Sequence, residues 1–275
     1  MTYRQLIDRL LAAGIENAAG EARMLLEHTL SITPDAPRFD PHAHLHDPDG
    51  RLSAALVRRE AREPLQYILG TWFFWRQEYE VSPDCLVPRP DTEILVEQAL
   101  TALPRGGRLL DLCTGSGCIA ISLLCERPDA TGVAVELSAP TLSLATRNAK
   151  RNGVSEERLF LMRGDVLDGS FLQTLGTFDL IVSNPPYIPT RDLATLPPET
   201  QQEPALALDG GEDGLQFYRR MLQTDYRAAL KPGGCMLFEI GYDQGDALRK
   251  LAAEQGLHCR ILKDYGGNDR VAYLS

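Results

Sequence analysis

Arg108-Leu109-Leu110-Asp111-Leu112-Cys113-Thr114-Gly115-Ser116-Gly117-Cys118-Ile119-Ala120 is an apolar strand that runs into a loop of small residues and opens an apolar helix. Gly115 and Gly117 allow backbone shapes and close approaches that a side chain would block. The helix start presents free N–H groups and a partial positive charge. Outward from this stretch the pattern repeats. Residues 131–136 read as a second strand ending in Glu136. Residues 159–162 read as a third, leading to Gly164-Asp165. Residues 178–183 read as a fourth, leading to Asn184. From Asp91 onward strands alternate with helices, which predicts an α/β fold: a mostly parallel, doubly wound sheet with its ligand at the carboxyl ends of the strands.

Gly-x-Gly-x-x-Ala alone also fits a dinucleotide site. Asp111, placed before the glycines, suits a cationic amine and would repel a pyrophosphate. That points to S-adenosylmethionine. Glu136 stands where an acid meets ribose hydroxyls in such folds, and Asp165 can accept from an adenine amine. A single acid at a strand end is ordinarily just solvated. Three at successive strand ends form a pattern.

The fourth strand leads into Asn184-Pro185-Pro186-Tyr187. Asn184 offers a side-chain carbonyl. Pro185 and Pro186 have no N–H, so they offer only acceptors on a stiff backbone. Tyr187 offers a flat aromatic wall. Such a corner suits an –NH2 on a conjugated carbon, either a side-chain amide or an exocyclic base amine. The plainer reading is a proline turn that ends a strand. The upstream loop and acids favour the chemical one.

These motifs resemble those of the S-adenosylmethionine-dependent glutamine-N5 methyltransferases of peptide chain release factors. Further marks are Glu63-Pro64-Leu65-Gln66-Tyr67-Ile68-Leu69-Gly70, Leu86-Val87-Pro88-Arg89-Pro90-Asp91-Thr92-Glu93, the stretch 203–215, and Asp264-Tyr265-Gly266-Gly267-Asn268-Asp269-Arg270-Val271. The resemblance implies a Class I methyltransferase domain with a Rossmann-like seven-stranded sheet, which the strand-like residues 234–240, 257–262 and 270–274 would finish antiparallel. It implies cofactor contacts from Asp111, Cys113, Thr114, Gly115, Ser116, Gly117, Glu136, Asp165, Val166 and Asn184, with S-adenosylhomocysteine as product. It implies substrate binding by Asn184, Pro185, Pro186 and Tyr187, with Asn184, Pro185 and Tyr187 catalytic. The implied partners are class I release factors, methylated at the glutamine of their Gly-Gly-Gln tip. Three positions depart from the pattern. Cys113 stands where Gly is more usual, as in a sister family acting on a large-subunit ribosomal protein. Glu136 replaces Asp, and Val166 stands where some members carry an aromatic beside the adenine. Asn-Pro-Pro-Tyr also occurs in adenine-N6 nucleic-acid methyltransferases, so both remain alternative substrates. A non-catalytic S-adenosylmethionine-binding regulator is a third reading, disfavoured by the intact corner.

The chain has 275 residues, 44% hydrophobic, with a formal net charge of −10. An acidic chain without a Lys/Arg run does not read as a nucleic-acid binder. No apolar run suggests a membrane span, the first residues show no secretory pattern, and six cysteines without a C-x-x-C pair read as reduced thiols. The expectation is a cytoplasmic monomer. Residues 1–70 read as a helical substrate-docking domain, 71–90 as an aromatic hairpin linker, and 91–275 as the methyltransferase domain. Helical spacing places Leu6, Ile7, Leu10 and Leu11 in one helix and Met24, Leu25, Leu26 and Leu30 in the next. Leu52, Leu56 and Val57 share a face of a third, over residues 51–63, stopped by Pro64. His42, His44 and His46, beside Asp47, read as part of a solvated loop over residues 33–50, with no metal.

Overall fold

The computed structural model describes residues 1–35 and 39–275. Residues 36–38 of the predicted loop lie outside the described residues. The chain divides into two compact units. One comprises Met1–Thr71 and Pro197–Gln202, the other Trp72–Leu196 and Glu203–Ser275.

Among its described residues the first unit holds four α-helices: α1 (Tyr3–Ala12), α2 (Ala18–Leu30), α3 (Arg51–Glu60) and α4 (Leu65–Leu69). Thr2 and Gln5 form a reciprocal cap at the start of α1. Leu6, Leu10, Leu25, Leu26, Leu52 and Leu56 are fully buried and form its core. Each contributes about 1.5–3 kcal/mol on burial. The sequence placed Leu11 and Val57 with these side chains, but they are 54% and 60% exposed. Each directly follows a buried leucine, so it lies about 100° round the helix from it. α3 also stops earlier than residue 63, because Arg62 adopts a left-handed backbone (φ 66). Arg59, almost wholly buried, donates to Glu21 and to Glu199, and Arg62 also reaches Glu199. This ties residues 197–202 into the unit. His44 pairs with Thr2 through an isolated bridge. Among the described residues no three His, Cys, Asp or Glu converge as a metal site. No helix among them is long and apolar enough to cross a membrane.

β1 (Thr71–Phe74) and β2 (Gln77–Glu80) form a two-stranded sheet joined by Trp75-Arg76. The rest of the second unit runs α5 (Glu93–Ala102), β3 (Arg108–Leu112), α6 (Cys118–Glu126), β4 (Thr131–Glu136), α7 (Ala139–Arg151), β5 (Leu159–Arg163), β6 (Phe178–Ser183), α8 (Gln216–Met221), α9 (Thr224–Ala228), β7 (Leu230–Glu239), α10 (Gly245–Glu254), β8 (Cys259–Lys263) and β9 (Asp269–Leu274). The sheet order is β5-β4-β3-β6-β7-β9-β8. All neighbours are parallel except β9, which runs against β7 and β8. The mostly parallel seven-stranded sheet with an antiparallel ending is therefore present.

Alternation along each strand fills both faces. Leu109, Leu180 and Val182 pack on one side with α5 and α6 residues, and Leu110, Leu112 and Ile181 on the other with Tyr218 and Leu248. Leu112 pairs with Val135 and with Ser183, so β3, β4 and β6 end level. Strand order reverses between β3 and β6, which opens a crevice at their carboxyl ends.

Candidate active site

A cleft of about 340 Å³ lies at that edge. β3 reaches it through Cys113 and Gly115, both at φ 56, and Gly117 at φ 81. A Cβ at Gly117 would lie 2.8 Å from the tip of the Ile121 side chain, and its positive φ would strain any residue that carried one. Cys113, Thr114, Gly115 and Ser116 line the cleft, as do Glu136, Asp165, Val166, Asn184 and Pro186. Gly117, Asp111, Pro185 and Tyr187 do not.

Asp111 stands behind the wall, fully buried. Its Oδ2 accepts from the Thr114 hydroxyl (2.6 Å) and from the Ala120 N–H (3.2 Å). It thus caps α6, whose N-cap Gly117 has no side chain to do so. Its Oδ1 has no partner. Burial pushes its pKa up to about 7 against these two hydrogen bonds. Glu136 accepts from the Gly115 N–H (3.0 Å) with Oε2 and from the Ser138 N–H (2.9 Å) with Oε1. Burial raises its pKa, and the backbone donors oppose the rise. Asp165 accepts from the Leu167 N–H at 2.8 Å. The carbonyl of the buried Val166 accepts from the Tyr226 hydroxyl at 2.7 Å. Leu137 and Leu167 add apolar surface beside these acids.

The Asn-Pro-Pro-Tyr corner follows β6. The Ser183 hydroxyl donates to the Leu112 carbonyl (2.7 Å), tying the two strand ends together. Asn184 donates through Nδ2 to the Thr92 hydroxyl at 3.1 Å, and no donor among the described residues reaches its Oδ1. Tyr187 was expected as the wall of this corner. Its ring instead turns its hydroxyl to Glu239 Oε1 (3.4 Å), and its carbonyl accepts from Gln244 (3.0 Å). Phe217 is the aromatic residue lining the cleft. Behind Tyr187 runs the stretch 208–214. Ile188 donates to the Leu208 carbonyl and Gly210 to the Ile188 carbonyl. A Cβ at Gly210 would stand 2.7 Å from Tyr187 Cα, so only glycine permits this approach.

Sequence reasoning assigned no role to Arg89, Asp91, Thr92, Glu203 or Glu239. Arg89 pairs with the buried Glu203, which also accepts from the Val87 N–H at 2.9 Å. Asp91 pairs with Arg270 (3.1 Å), and Arg270 with Asp264 (3.1 Å). Thr92 meets Asn184, and Glu93 accepts from the Trp75 N–H at 2.7 Å. Residues 89–93 therefore join four separated parts of the chain. Their motif was visible, but partners such as Asn184 and Glu203, 92 and 114 residues away, were not.

Two family models match the chain: the methyltransferase small domain over residues 90–196 and the PrmC N-terminal domain over residues 2–70. A release factor glutamine methyltransferase of Rhodospirillum rubrum is 42% identical over 95% of this chain and 80% of its own length. One from Cereibacter sphaeroides is 44% identical over 98% of this chain and 95% of its own. A solved methyltransferase from Pyrococcus furiosus, 20% identical, superposes with a TM-score of 0.53 over 82% of this chain and 97% of its own, a likeness of fold alone. Likeness to the named relatives runs through both units, and the chain belongs to the release factor glutamine methyltransferase family.

Proposed function

We propose that this chain transfers the methyl group of S-adenosylmethionine to the side-chain amide nitrogen of the glutamine in the Gly-Gly-Gln tip of class I release factors. The observation that carries the reading is the orientation of Asn184: its amide nitrogen is held by Thr92, and its oxygen is left free in a residue that lines the cleft. A free carbonyl there can accept from a substrate –NH2.

The residues at the strand ends fit S-adenosylmethionine. Asp111 Oδ1 is a buried carboxyl oxygen with no partner, set behind the cleft wall, and a cationic amine bound beside that wall would favour its ionised form. Glu136 keeps unused lone pairs for hydroxyls, because a carboxylate can accept about four hydrogen bonds. Val166 and Leu167 offer apolar surface for a base, and Asp165 an acceptor beside it. Thr114, Gly115 and Ser116 supply the loop, with Cys113 at its start and Gly117 at the turn into α6. When bound, S-adenosylmethionine supplies an electrophilic methyl group.

The residues around it need only orient the acceptor. An amide nitrogen is a poor nucleophile because its lone pair is delocalised, so alignment at near-attack distance is the main contribution. Asn184 Oδ1 and the Pro185 carbonyl accept the two amide protons and stabilise positive charge building on the nitrogen. Pro185 and Pro186 keep that corner stiff. Tyr187 supports it through Glu239. Water takes the released proton. The helical unit is proposed to hold the body of the factor.

The test is mass spectrometry of a purified release factor after incubation with the enzyme and S-adenosylmethionine. A 14-dalton gain on the tip glutamine is expected. Methylation of duplex adenine with an unmodified factor would overturn the assignment. Asn184→Ala is expected to lower turnover about 10²–10³-fold while S-adenosylmethionine still binds. Turnover at the wild-type rate would remove Asn184 from the mechanism.

A further inference from the structure

Arg89 stands on a stiff piece of backbone. Pro88 and Pro90 flank it, and its own backbone is extended (φ −100, ψ 143) before the short turn Pro90–Thr92. The Thr92 N–H donates to the Arg89 carbonyl at 3.1 Å. Thr92 meets Asn184, so Arg89 lies one turn of chain from the acceptor corner. Its Nη2 donates to Glu203, whose side chain is only 1% exposed and also accepts from the Val87 N–H. The Arg89 side chain is 37% exposed and lines the cleft. No acceptor among the described residues meets its Nε or Nη1. Among the described residues that line the cleft, no other is an arginine, lysine or histidine.

We propose that Arg89 binds the substrate, donating from Nε and Nη1 to main-chain carbonyls of the glycines beside the methylated glutamine, and that Glu203 positions it to do so. This rests on the function proposed above. Glycine has no side chain, so only its N–H and C=O groups can be recognised. A guanidinium only donates. Its counterpart on such a tip is therefore a carbonyl oxygen. Around Arg89 the cleft wall is built from Leu86, Pro88, Pro204, Leu206 and Ala207, whose side chains carry no donor. Leu206 is 53% exposed there. These residues offer apolar surface to a stretch of chain without side chains. Arg89 adds the charge-assisted hydrogen bonds that they cannot make.

Glu203 decides which kind of acceptor Arg89 takes. Burial raises the Glu203 pKa, and Arg89 and the Val87 N–H oppose that rise. As an ion pair the two side chains carry no net charge. A ligand carboxylate would set two anions against one cation, with Asp84 and Glu136 lining the same cleft. A peptide carbonyl meets no such repulsion and still gains from a charged donor. The pair also fixes geometry. With Nη2 tied to Glu203 and the backbone locked between prolines, the planar fork presents its remaining N–H groups in a set direction.

The test uses the full chain, a purified release factor, and a short Gly-Gly-Gln peptide made with and without thioamides at its glycine carbonyls, sulfur being the weaker acceptor. kcat and KM are measured for wild type, for Arg89→Lys, and for Arg89→Met combined with Glu203→Gln, which leaves no unpaired buried charge. Calorimetry gives the affinities for S-adenosylhomocysteine and for 5′-methylthioadenosine, which lacks the amino-acid end, and melting curves report folding. For wild type the thioamides are expected to raise KM about tenfold or more. The double variant is expected to show a KM raised about tenfold or more for the ordinary peptide. It should no longer distinguish that peptide from the thioamide, and should keep both nucleoside affinities. Arg89→Lys keeps Glu203 paired and is expected to lose part of the distinction; it decides if the double variant does not fold. Variants that distinguish the two peptides as wild type does would overturn the role of Arg89. So would a fall in S-adenosylhomocysteine affinity with that for 5′-methylthioadenosine kept, which would put the cofactor carboxylate at Arg89 and leave the substrate reading intact. If wild type methylates neither factor nor peptide, the proposed function falls as well.

Discussion

Cys113 sits in a left-handed backbone conformation that L side chains adopt only at a cost. Relief of about 1–2 kcal/mol on replacement by glycine outweighs the roughly 0.4–1 kcal/mol that glycine adds to the entropy of the unfolded chain. Cys113→Gly is therefore expected to raise the melting temperature by a few degrees, read by calorimetry. A fall would show that packing of the thiol outweighs the strain. Asp111 and Glu239 each have a pKa raised to about 7 by burial. Between about pH 4 and 7 the folded chain thus holds more protons than the unfolded one, so stability falls as pH rises through that window. The melting temperature of the ligand-free protein should drop from pH 5 to pH 8, and Glu239→Gln should flatten the drop. A rise instead would mean these carboxyls titrate normally. At this scale the sequence showed which acids end strands, and Glu136 and Asp165 do line the cleft. It did not show that Asp111 turns inward. Alternation places Asp111 opposite Leu110 and Leu112, on the face that α6 covers. Only the packed helix reveals that it bonds Thr114 and Ala120.

Strands and helices were legible where apolar runs were continuous, as in β3, β4 and β6. They were less so where partners came from elsewhere. β7 starts at Leu230, ahead of the run from residue 234, because Leu230 pairs with Phe178 before a register shift to Cys235 and Leu180. Pro232-Gly233, in the stretch skipped by that register shift, hides the strand from any periodicity reading. The β1–β2 hairpin was read from its aromatics, and Phe74 and Tyr79 are indeed buried in the core. What holds its outer edge was not visible. Asn148 on α7 accepts from the Glu80 N–H at 2.7 Å and donates to the Glu80 carbonyl at 3.0 Å, as a neighbouring strand would. It also bonds the Ser116 carbonyl (3.0 Å), and Asn152 bonds the Glu78 carbonyl (3.1 Å). Asn148→Ala strands these buried groups and is expected to cost about 2–3 kcal/mol in denaturant unfolding. A loss under 0.5 kcal/mol would mean water replaces the amide without penalty.

In the whole molecule the chain enters the helical unit twice, through residues 1–71 and 197–202. Helical periodicity showed the first passage. The second is a short proline-containing segment, and nothing local announces that Glu199 will meet Arg59 and Arg62. The proposed docking role of this unit has its own prediction. Val57 and Leu11 are exposed apolar side chains there. Val57→Asp or Leu11→Asp is expected to raise KM for the intact factor about fivefold or more, with no change for a short Gly-Gly-Gln peptide. Unchanged KM for the factor in both variants would place docking elsewhere. One feature of the catalytic unit also constrains how such a chain can vary over generations. Residues 89, 91, 92 and 93 each answer to a different distant partner: Glu203, Arg270, Asn184 and the Trp75 backbone. A change at 89 is tolerated best alongside a change at 203, and a change at 91 alongside one at 270 or 264. Such positions should be inherited as matched sets. A hybrid that borrows only this short segment from a relative would need the relative's partners as well.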